Sequence, residues 1–295
     1  MSIDLKYYLS ISRFFTPIVM NDIIEKGTSG YLLEVCRNSG MLKHLDSSLL
    51  LSQFFDLVYN FLFKHYRNEY IYKNAIANKI LLGKHSLNTS QMLTELRVGK
   101  CKADVVIVNG SSTVYEIKSE YDSFKRLENQ IYAYLEIFDH INVITSESQL
   151  AKLRIIIPDN IGIMILTDRN TIRTIRESKS NKQNIILETV FNTFRKDEYL
   201  HVIQEYYGGI PDVPNTQIFN KCKQLFCTIP VESAHDLTVK ILRQRNTSAF
   251  IKDFLDKTPF SLKAYALSIG DDQKKMQRLS SRLDKNIGMV LPLAI

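Results

Sequence analysis

The feature that most constrains the fold is a pair of short apolar segments joined by a turn. The segments Ala103–Val108 and Thr113–Lys118 are rich in β-branched residues, and an Asn-Gly pair lies between them. This pattern predicts two strands that pair through the turn. Residues i and i+2 of a strand project from the same face, so Glu116 and Lys118 are expected side by side. If the strands pair, Asp104 comes close to Glu116.

Two carboxylates and an ammonium that converge beside a sheet suit one kind of chemistry. Hard divalent cations prefer carboxylate oxygens and keep several waters. Such an ion stabilises negative charge that builds on a phosphate and activates a water molecule. A Glu-x-Lys triplet alone is a weak signal, because solvated strand faces carry such pairs often. The apolar strand that opens with Asp104 strengthens the signal.

The residues around the triplet extend the pattern. They read Glu116-Ile117-Lys118-Ser119, then Arg126-Leu127, Gln130, Tyr134 and Phe138-Asp139. With Asp104 ahead of it, this series resembles the catalytic core of the PD-(D/E)XK nucleases, in particular a little-characterised bacterial subfamily with a Glu-Ile-Lys-Ser motif. The strong resemblance covers residues 95–145. Ala103 stands where the family name has Pro, a position that is often substituted in this superfamily.

The resemblance implies an α/β fold, namely a restriction-endonuclease-like mixed sheet flanked by helices, with helical N-terminal and C-terminal segments. It implies that Asp104, Glu116 and the carbonyl of Ile117 bind Mg²⁺ or Mn²⁺. Lys118 is expected to position or help deprotonate a water molecule and to offset phosphate charge. Cleavage of a phosphodiester would then leave a 5′-phosphate.

Further site residues are expected near this core. Glu95, on the strand before Asp104, is the first choice for a third acidic metal ligand, and Glu69, at the start of a helix, is the second. Gln130 and Tyr134 lie one helical turn apart. Gln130 is expected to orient Lys118, DNA or a water molecule, whereas Tyr134 fits the site and the hydrophobic core equally well.

The hydrophobic pattern predicts the other elements. Helices are expected near 45–66 and 69–83, and a capping box at Ser119 predicts a helix that begins there. Further strands are expected at 92–98, 141–145 and 161–166. The C-terminal helices are expected at 189–207, 215–226, 232–245 and 247–257. These elements predict a helical N-terminal segment at 1–70, a nuclease-like core at 71–178 and a basic helical domain at 186–295, with a polar linker at 178–184.

Charge and composition bear on partners. The net charge of +7 favours an anionic partner such as nucleic acid, and DNA is the first choice. Basic residues cluster near the C-terminus, where they fit a solvated helix face or a phosphate-contacting face equally well: Lys274, Lys275, Arg278, Arg282 and Lys285. The helical segments could hold a protein partner or a second copy of the chain.

No apolar run is long enough for a membrane span, and the N-terminus lacks a signal-peptide pattern. Four scattered cysteines without metal spacing fit reduced thiols, so the chain is expected to be cytoplasmic.

Three functions follow as hypotheses. The first is a metal-dependent nuclease that cleaves DNA, in phage defence or in a mobile element. The second is a catalytically inactive subunit that keeps the fold to bind nucleic acid or a partner protein. The third is an RNA-cleaving effector, although no RNA-recognition motif is visible. Substrate strandedness, endonuclease or exonuclease action and oligomeric state stay open.

Overall fold

A computed structural model describes residues 3–245 and 250–291 of the chain. In these residues a single sheet of six strands follows the order of the sequence. The first three strands form an antiparallel meander, the third, fourth and fifth are parallel, and the sixth is antiparallel to the fifth. The strands are β1 Gln91–Val98, β2 Cys101–Val108, β3 Ser112–Lys118, β4 His140–Thr145, β5 Gly162–Leu166 and β6 Ile172–Arg176.

The described residues also form sixteen α-helices, several of them short. They are α1 Tyr8–Ser12, α2 Pro17–Lys26, α3 Gly30–Asn38, α4 Leu51–His65, α5 Glu69–Ile76, α6 Leu82–Lys84, α7 Leu127–Leu135, α8 Leu150–Ile156, α9 Leu187–Phe191, α10 Lys196–Tyr207, α11 Asn215–Phe226, α12 Val231–Arg243, α13 Ile251–Lys257, α14 Lys263–Ile269, α15 Gln273–Leu283 and α16 Ile287–Val290. The prediction of a mixed α/β fold is confirmed.

The chain divides into two compact units. Leu81–Arg245 contains the whole sheet with α6–α12, and Met1–Ile80 together with Asn246–Ile295 forms a helical unit. The sequence-based division placed boundaries at 70/71 and between 178 and 186. The structure instead keeps 186–245 in the same unit as the sheet.

The sheet unit, Leu81–Arg245, is built around strands that are covered on both faces. Val105, Val106, Ile107 and Val108 are all at most 1% exposed, which is the burial expected of central strands. Helix α7 packs against β2 and β4 through one apolar stripe, and α12 also contacts β2. Both helices thus pack against β2, the strand that carries Asp104.

The helical unit has an aromatic core. Phe15 stacks on Tyr70 with ring centroids 4.4 Å apart, and Tyr59 contacts Phe260 edge to face. Part of the C-terminal basic cluster is engaged inside this unit. Arg278 pairs with Glu25, and a Cβ placed on Gly27 would lie 2.9 Å from the Arg282 guanidinium.

The predicted strands are present in the structure. The structure adds one strand, β6, that the sequence analysis did not predict. Its side chains are partly buried except for the exposed Arg173, and the strand stands at the edge of the sheet inside the polar, basic stretch 169–184. The predicted linker is also fixed in place, because Asn181 is buried and donates hydrogen bonds to the carbonyls of Leu135 and Phe138. It therefore belongs to the sheet unit rather than separating two domains.

Several helix boundaries differ from the predictions. The Ser119 motif forms a turn, in which Ser119 donates to Asp122, and α7 begins only at Leu127. The segment 189–207 is interrupted between Phe191 and Lys196. The helix predicted at 247–257 begins at Ile251, and residues 247–249 lie outside the described part of the chain. No helix in the described residues is long and apolar enough to cross a membrane.

Candidate functional site

Three carboxylates occupy corresponding positions on β1, β2 and β3. Thr94 pairs with Val105 and Leu96 pairs with Ala103, so Glu95 stands opposite Asp104. On the other side, Val105 pairs with Tyr115, and the same register places Asp104 opposite Glu116. Residues opposite each other on adjacent strands project from the same face. Glu95, Asp104 and Glu116 therefore form a row across the sheet, and we call it the carboxylate row.

The backbone departs from regular pairing within the row. Glu95 has φ 56°, a left-handed conformation that non-glycine residues adopt at a cost. Its carboxylate lies 3.7 Å from the ammonium of Lys102, and both side chains are largely exposed. A carboxylate oxygen of Glu95 and one of Asp104 lie within 4.8 Å of each other. The irregular conformation thus holds an acidic side chain beside Asp104.

Asp104 is joined to the next strand by a hydrogen bond from the main chain. The backbone N–H of Ile117 donates to Oδ2 of Asp104 at 2.8 Å. The Asp104 carboxylate thus accepts the main-chain N–H of Ile117, the residue between Glu116 and Lys118. This contact fixes the distance between the two motifs that the sequence analysis singled out.

Glu116 and Lys118 form a buried pair on one face of β3. Nζ of Lys118 donates to Oε1 of Glu116 at 2.6 Å and to Oε1 of Gln130 at 2.9 Å. The Glu116 side chain is 1% exposed and the Lys118 side chain 10%. A buried carboxylate and a buried ammonium are tolerated because each satisfies the other. The ammonium is held by acceptors from β3 and α7.

Tyr134 supplies the other partner of Glu116. Its hydroxyl lies 2.7 Å from Oε2 of Glu116 and 2.9 Å from the carbonyl oxygen of Lys102. Burial raises the pKa of Tyr134, and the negative charge of Glu116 and the hydrogen bond to it raise the pKa further. The phenol therefore stays protonated and acts as a donor. Its ring is fully buried, so Tyr134 belongs to the core and to the site at once.

The main chain after Lys118 is also held by side chains. Oγ1 of Thr145 donates to the carbonyl of Lys118 at 2.6 Å. The N–H and hydroxyl of Ser119 both donate to Oδ2 of Asp122, at 2.9 and 2.6 Å. These bonds close the turn that leads from β3 towards α7. They also explain why Ser119 caps a turn and does not begin a helix.

The structure brings most of the predicted site residues together. Asp104, Glu116, Lys118, Glu95 and Gln130 all lie in the sheet unit, and direct hydrogen bonds join three of them. Ile117 contributes its N–H to Asp104, while the metal-binding role expected of its carbonyl stays a prediction. Glu69 is the first residue of α5 in the other unit, where it pairs with Lys73. Its role as an alternative ligand also stays a prediction.

The donor set is suited to a hard divalent cation. Mg²⁺ and Mn²⁺ take oxygen ligands, and Mg²⁺ favours octahedral geometry at roughly 2.1 Å. The oxygens of Glu95 and Asp104 lie within 4.8 Å, which two ligands of one ion reach with small side-chain adjustments. Both oxygens of Glu116 already accept hydrogen bonds, from Lys118 and Tyr134, although each carboxylate oxygen has a second lone pair.

A second polar constellation escaped the sequence analysis. Oγ of Ser112 lies 3.1 Å from Nε2 of His235, and Nδ1 of His235 lies 3.5 Å from Oδ1 of Asp236. The order of contacts is that of a serine-hydrolase triad. However, Ser112 is 2% exposed and His235 3%, and the Ser112 hydroxyl also accepts the N–H of Asp139. A substrate cannot reach it, so the set joins α12 to the sheet.

Sequence separation explains why this set was missed. Ser112 and His235 are 123 residues apart, and neither lies in a local motif. The contact of Tyr134 with the Lys102 carbonyl was equally invisible, because a main-chain acceptor leaves no residue-type signal. Orientation of Lys118 is one of the three roles that the family resemblance implied for Gln130, and the Lys118–Gln130 bond agrees with it.

Comparison with known proteins identifies the family of the chain. Residues 63–264, more than half of the chain, match the family described as bacteriophage P4 protein cII. The chain belongs to this family. Protein cII of Enterobacteria phage P4 is 26% identical over 93 residues, which cover 31% of this chain and 35% of that protein. The match thus spans about a third of the curated relative.

A solved structure also shows a partial likeness. It is the SPO1766 protein of unknown function from Silicibacter pomeroyi, which is 20% identical over 32% of this chain and 62% of that one, with a TM-score of 0.26.

Proposed function

We propose that the chain is a metal-dependent nuclease that hydrolyses phosphodiester bonds in DNA, on a restriction-endonuclease-like core. The observation that carries the proposal is the pairing of the carboxylate row with the buried ammonium of Lys118. The row offers oxygen donors, and Lys118 is held between Glu116 and Gln130 on the same face. Purely structural ion pairs need no third carboxylate in a strained conformation beside them.

Each residue has a distinct part in the proposal. Asp104 and Glu95, with Glu116, would hold Mg²⁺ or Mn²⁺. When bound, the ion supplies Lewis-acid stabilisation of the charge on the phosphate. Lys118 offers N–H donors and a positive charge to a phosphate oxygen or an attacking water. Gln130 fixes the direction of the Lys118 ammonium, and Tyr134 keeps Glu116 in place.

The family bears on the biological setting. A family described from bacteriophage P4 supports a place in a mobile element, which agrees with the sequence-based hypothesis. The net charge of +7 supports an anionic substrate.

The experiment is cleavage of plasmid, single-stranded DNA and matched RNA with and without Mg²⁺ or Mn²⁺. Wild type is compared with Asp104→Asn and Lys118→Met, and Glu128→Gln on the exposed face of α7 is the matched control. We expect metal-dependent cleavage that falls at least about 100-fold in both site variants and not in the control. Activity that survives both variants, with folding intact, would overturn the proposal, and RNA cleavage alone would point to the effector hypothesis.

One observation favours the inactive binding subunit as the second candidate. Both oxygens of Glu116 are held by protein donors, so this carboxylate is already compensated without an ion. A non-catalytic module needs no more than that. Thermal stability measured with and without Mn²⁺ separates the two, because an ion that binds only the folded state raises the melting temperature.

A further inference from the structure

A cavity of about 770 Å³ lies beside the candidate site, between the β1–β2 hairpin and α7. Gln130, which holds Lys118, is one of its lining residues, and so are Cys101 and Lys102, the first two residues of β2, which carries Asp104. Lys102 lies two residues from Asp104 on the same strand and so projects from the same face, which means that the cavity adjoins the face that carries the carboxylate row. Its volume lies in the range that is typical of ligand-binding pockets.

The lining of this cavity is strongly basic. Arg97, Lys100, Lys102 and Arg126 contribute four positive charges. The acidic lining residue is Glu136, which accepts a hydrogen bond from Thr189 at 3.0 Å. Of these four basic residues, Lys102 forms an ion pair with Glu95 within the described part of the chain. Four cations around a concave space favour an anionic occupant with several charges.

The basic lining continues into a second cavity of about 480 Å³. Arg97 and Gly99 line both cavities, and Arg195 and Arg245 line the second. Gly99 has φ 56° at the first position of the two-residue loop between Val98 and Cys101. Since glycine contributes only backbone, no side chain at this position divides the two spaces. Arg245 is paired with Glu198, so Arg195 is the cation that extends the lining.

We infer that these joined cavities form a groove for one strand of nucleic acid, which passes from the carboxylate row over Arg97 and Lys100 towards Arg195. The inference rests on the proposed function and names the form of its substrate. A basic groove that follows a phosphate backbone is how proteins hold single strands. A duplex is too broad to enter a concave space of this size, whereas one backbone with its bases fits. The Asn129 and Gln130 amides can contact bases without strong preference.

The test is binding of fluorescein-labelled 12-mers to the full chain without metal, measured by anisotropy over a range of salt concentrations. The ligands are dT12, rU12 and a 12-base-pair duplex. Arg97→Ala with Lys100→Ala is the groove variant. Arg154→Ala with Lys179→Ala removes the same charge from exposed positions on the sheet unit and is the control. Circular dichroism of each variant checks the fold.

We expect dT12 to bind more tightly than the duplex. The groove variant should weaken dT12 binding at least about tenfold, and it should reduce the slope of log K against log salt by about 1.4, that is, about 0.7 for each of two lost phosphate contacts. The control should change affinity less than about twofold. Preference for rU12 would support the groove and speak against DNA as the substrate.

Three results would overturn the inference: equal losses in the groove variant and the control, tighter binding of the duplex, or no binding of any strand. Its failure is distinguishable from that of the nuclease proposal. Metal-dependent cleavage together with normal binding by the groove variant would contradict the groove and leave the nuclease proposal standing. Groove-dependent binding without cleavage would contradict the nuclease proposal and leave the groove standing.

Discussion

The hydroxyl of Tyr134 lies 2.7 Å from Oε2 of Glu116, inside a region that solvent does not reach. The carboxylate thereby has a donor on the side opposite Lys118. Because burial and the charge of Glu116 raise the pKa of Tyr134 above its ordinary value, the phenol keeps its proton at neutral pH. The phenol is thus the donor of this hydrogen bond and Oε2 of Glu116 its acceptor.

Tyr134→Phe tests this relationship. The substitution keeps the ring in the core but leaves Oε2 of Glu116 without this donor, and hydrogen bonds to charged groups contribute about 1.5–3 kcal/mol. We expect a loss of that size in urea unfolding and a fall of about tenfold or more in metal-dependent cleavage. Tyr132→Phe on the same helix is the control, since Tyr132 is 58% exposed. Equal effects of the two substitutions would contradict the assigned role.

Lys118→Met removes the ammonium that faces Glu116 and keeps a similar volume. It leaves a buried carboxylate without its countercharge, and breaking such a pair costs about 3–5 kcal/mol. Adding Glu116→Gln removes the uncompensated charge, so most of the lost stability should return while cleavage stays absent. Urea unfolding of the two single variants and the double variant measures the coupling. Additive losses would show that the two side chains do not depend on each other.

The sequence was sufficient for the strands that surround the site. Runs such as Val105–Val108 are β-branched and apolar, and a buried central strand needs that composition. The Glu116–Lys118 spacing follows from strand periodicity, so their side-by-side position was predictable. Gln130 was singled out by the family resemblance rather than by helix periodicity.

Other features of the fold and the site depend on tertiary contacts, and the sequence did not predict them. The segment β6 pairs with β5 at the sheet edge, but it is short and lies in a polar, basic stretch of the sequence, 169–184, which hides it. The left-handed backbone at Glu95 carries no signal, because no Gly or Asn marks it. The start of α7 at Leu127 depends on the Ser119–Asp122 turn, which a capping box resembles in sequence.

Glu95→Gly should relax the backbone at that position. A left-handed conformation costs a non-glycine residue about 1–2 kcal/mol, partly offset by the entropy of glycine, so a gain of up to about 1 kcal/mol is expected. If Glu95 binds metal, the same substitution should reduce the rise in melting temperature that Mn²⁺ produces. Both quantities are measured by thermal unfolding with and without Mn²⁺.

Asn170→Gly is the matched control for Glu95→Gly, because Asn170 has φ 54° in the turn between β5 and β6. It should relax the backbone in the same way, by less because Asn tolerates this conformation, and leave the Mn²⁺ effect unchanged. A Mn²⁺ effect that persists in Glu95→Gly would remove Glu95 from the ligand set.

His235 should make folding sensitive to mild acid. Burial lowers the pKa of His235 and the positive charge of Lys182 adds to the effect, which together outweigh the contacts with Asp236 and Asp139. The unfolded chain then binds a proton more readily than the folded one as the pH falls through about 6.5. Stability should therefore be constant above that pH and decline below it.

His235→Asn should flatten this decline, at a cost of about 1 kcal/mol at neutral pH from the lost bond with Ser112. Asp139 titrates in a different range. Burial raises its pKa, but hydrogen bonds from Ser180 and Ser111 lower it below the ordinary value overall, so its stabilisation is lost only at pH values below about 3.8. Urea unfolding between pH 5 and 8 isolates the histidine. An unchanged pH profile in the variant would assign the decline to another group.

Gly162→Ala should disrupt the packing between β4 and β5. A Cβ at this position would lie 1.9 Å from Oδ1 of Asn142 on the neighbouring strand and 3.0 Å from the backbone N of Ser178. Asn142 is 3% exposed and cannot move into solvent, so a loss of about 1–3 kcal/mol from overpacking is expected in urea unfolding. Gly209→Ala in the same unit is the control, because no atom lies within 4 Å of its Cβ position. Combining Gly162→Ala with Asn142→Ala removes the clashing amide and should recover part of the loss; a double variant less stable than Gly162→Ala alone would place the conflict at Ser178 instead.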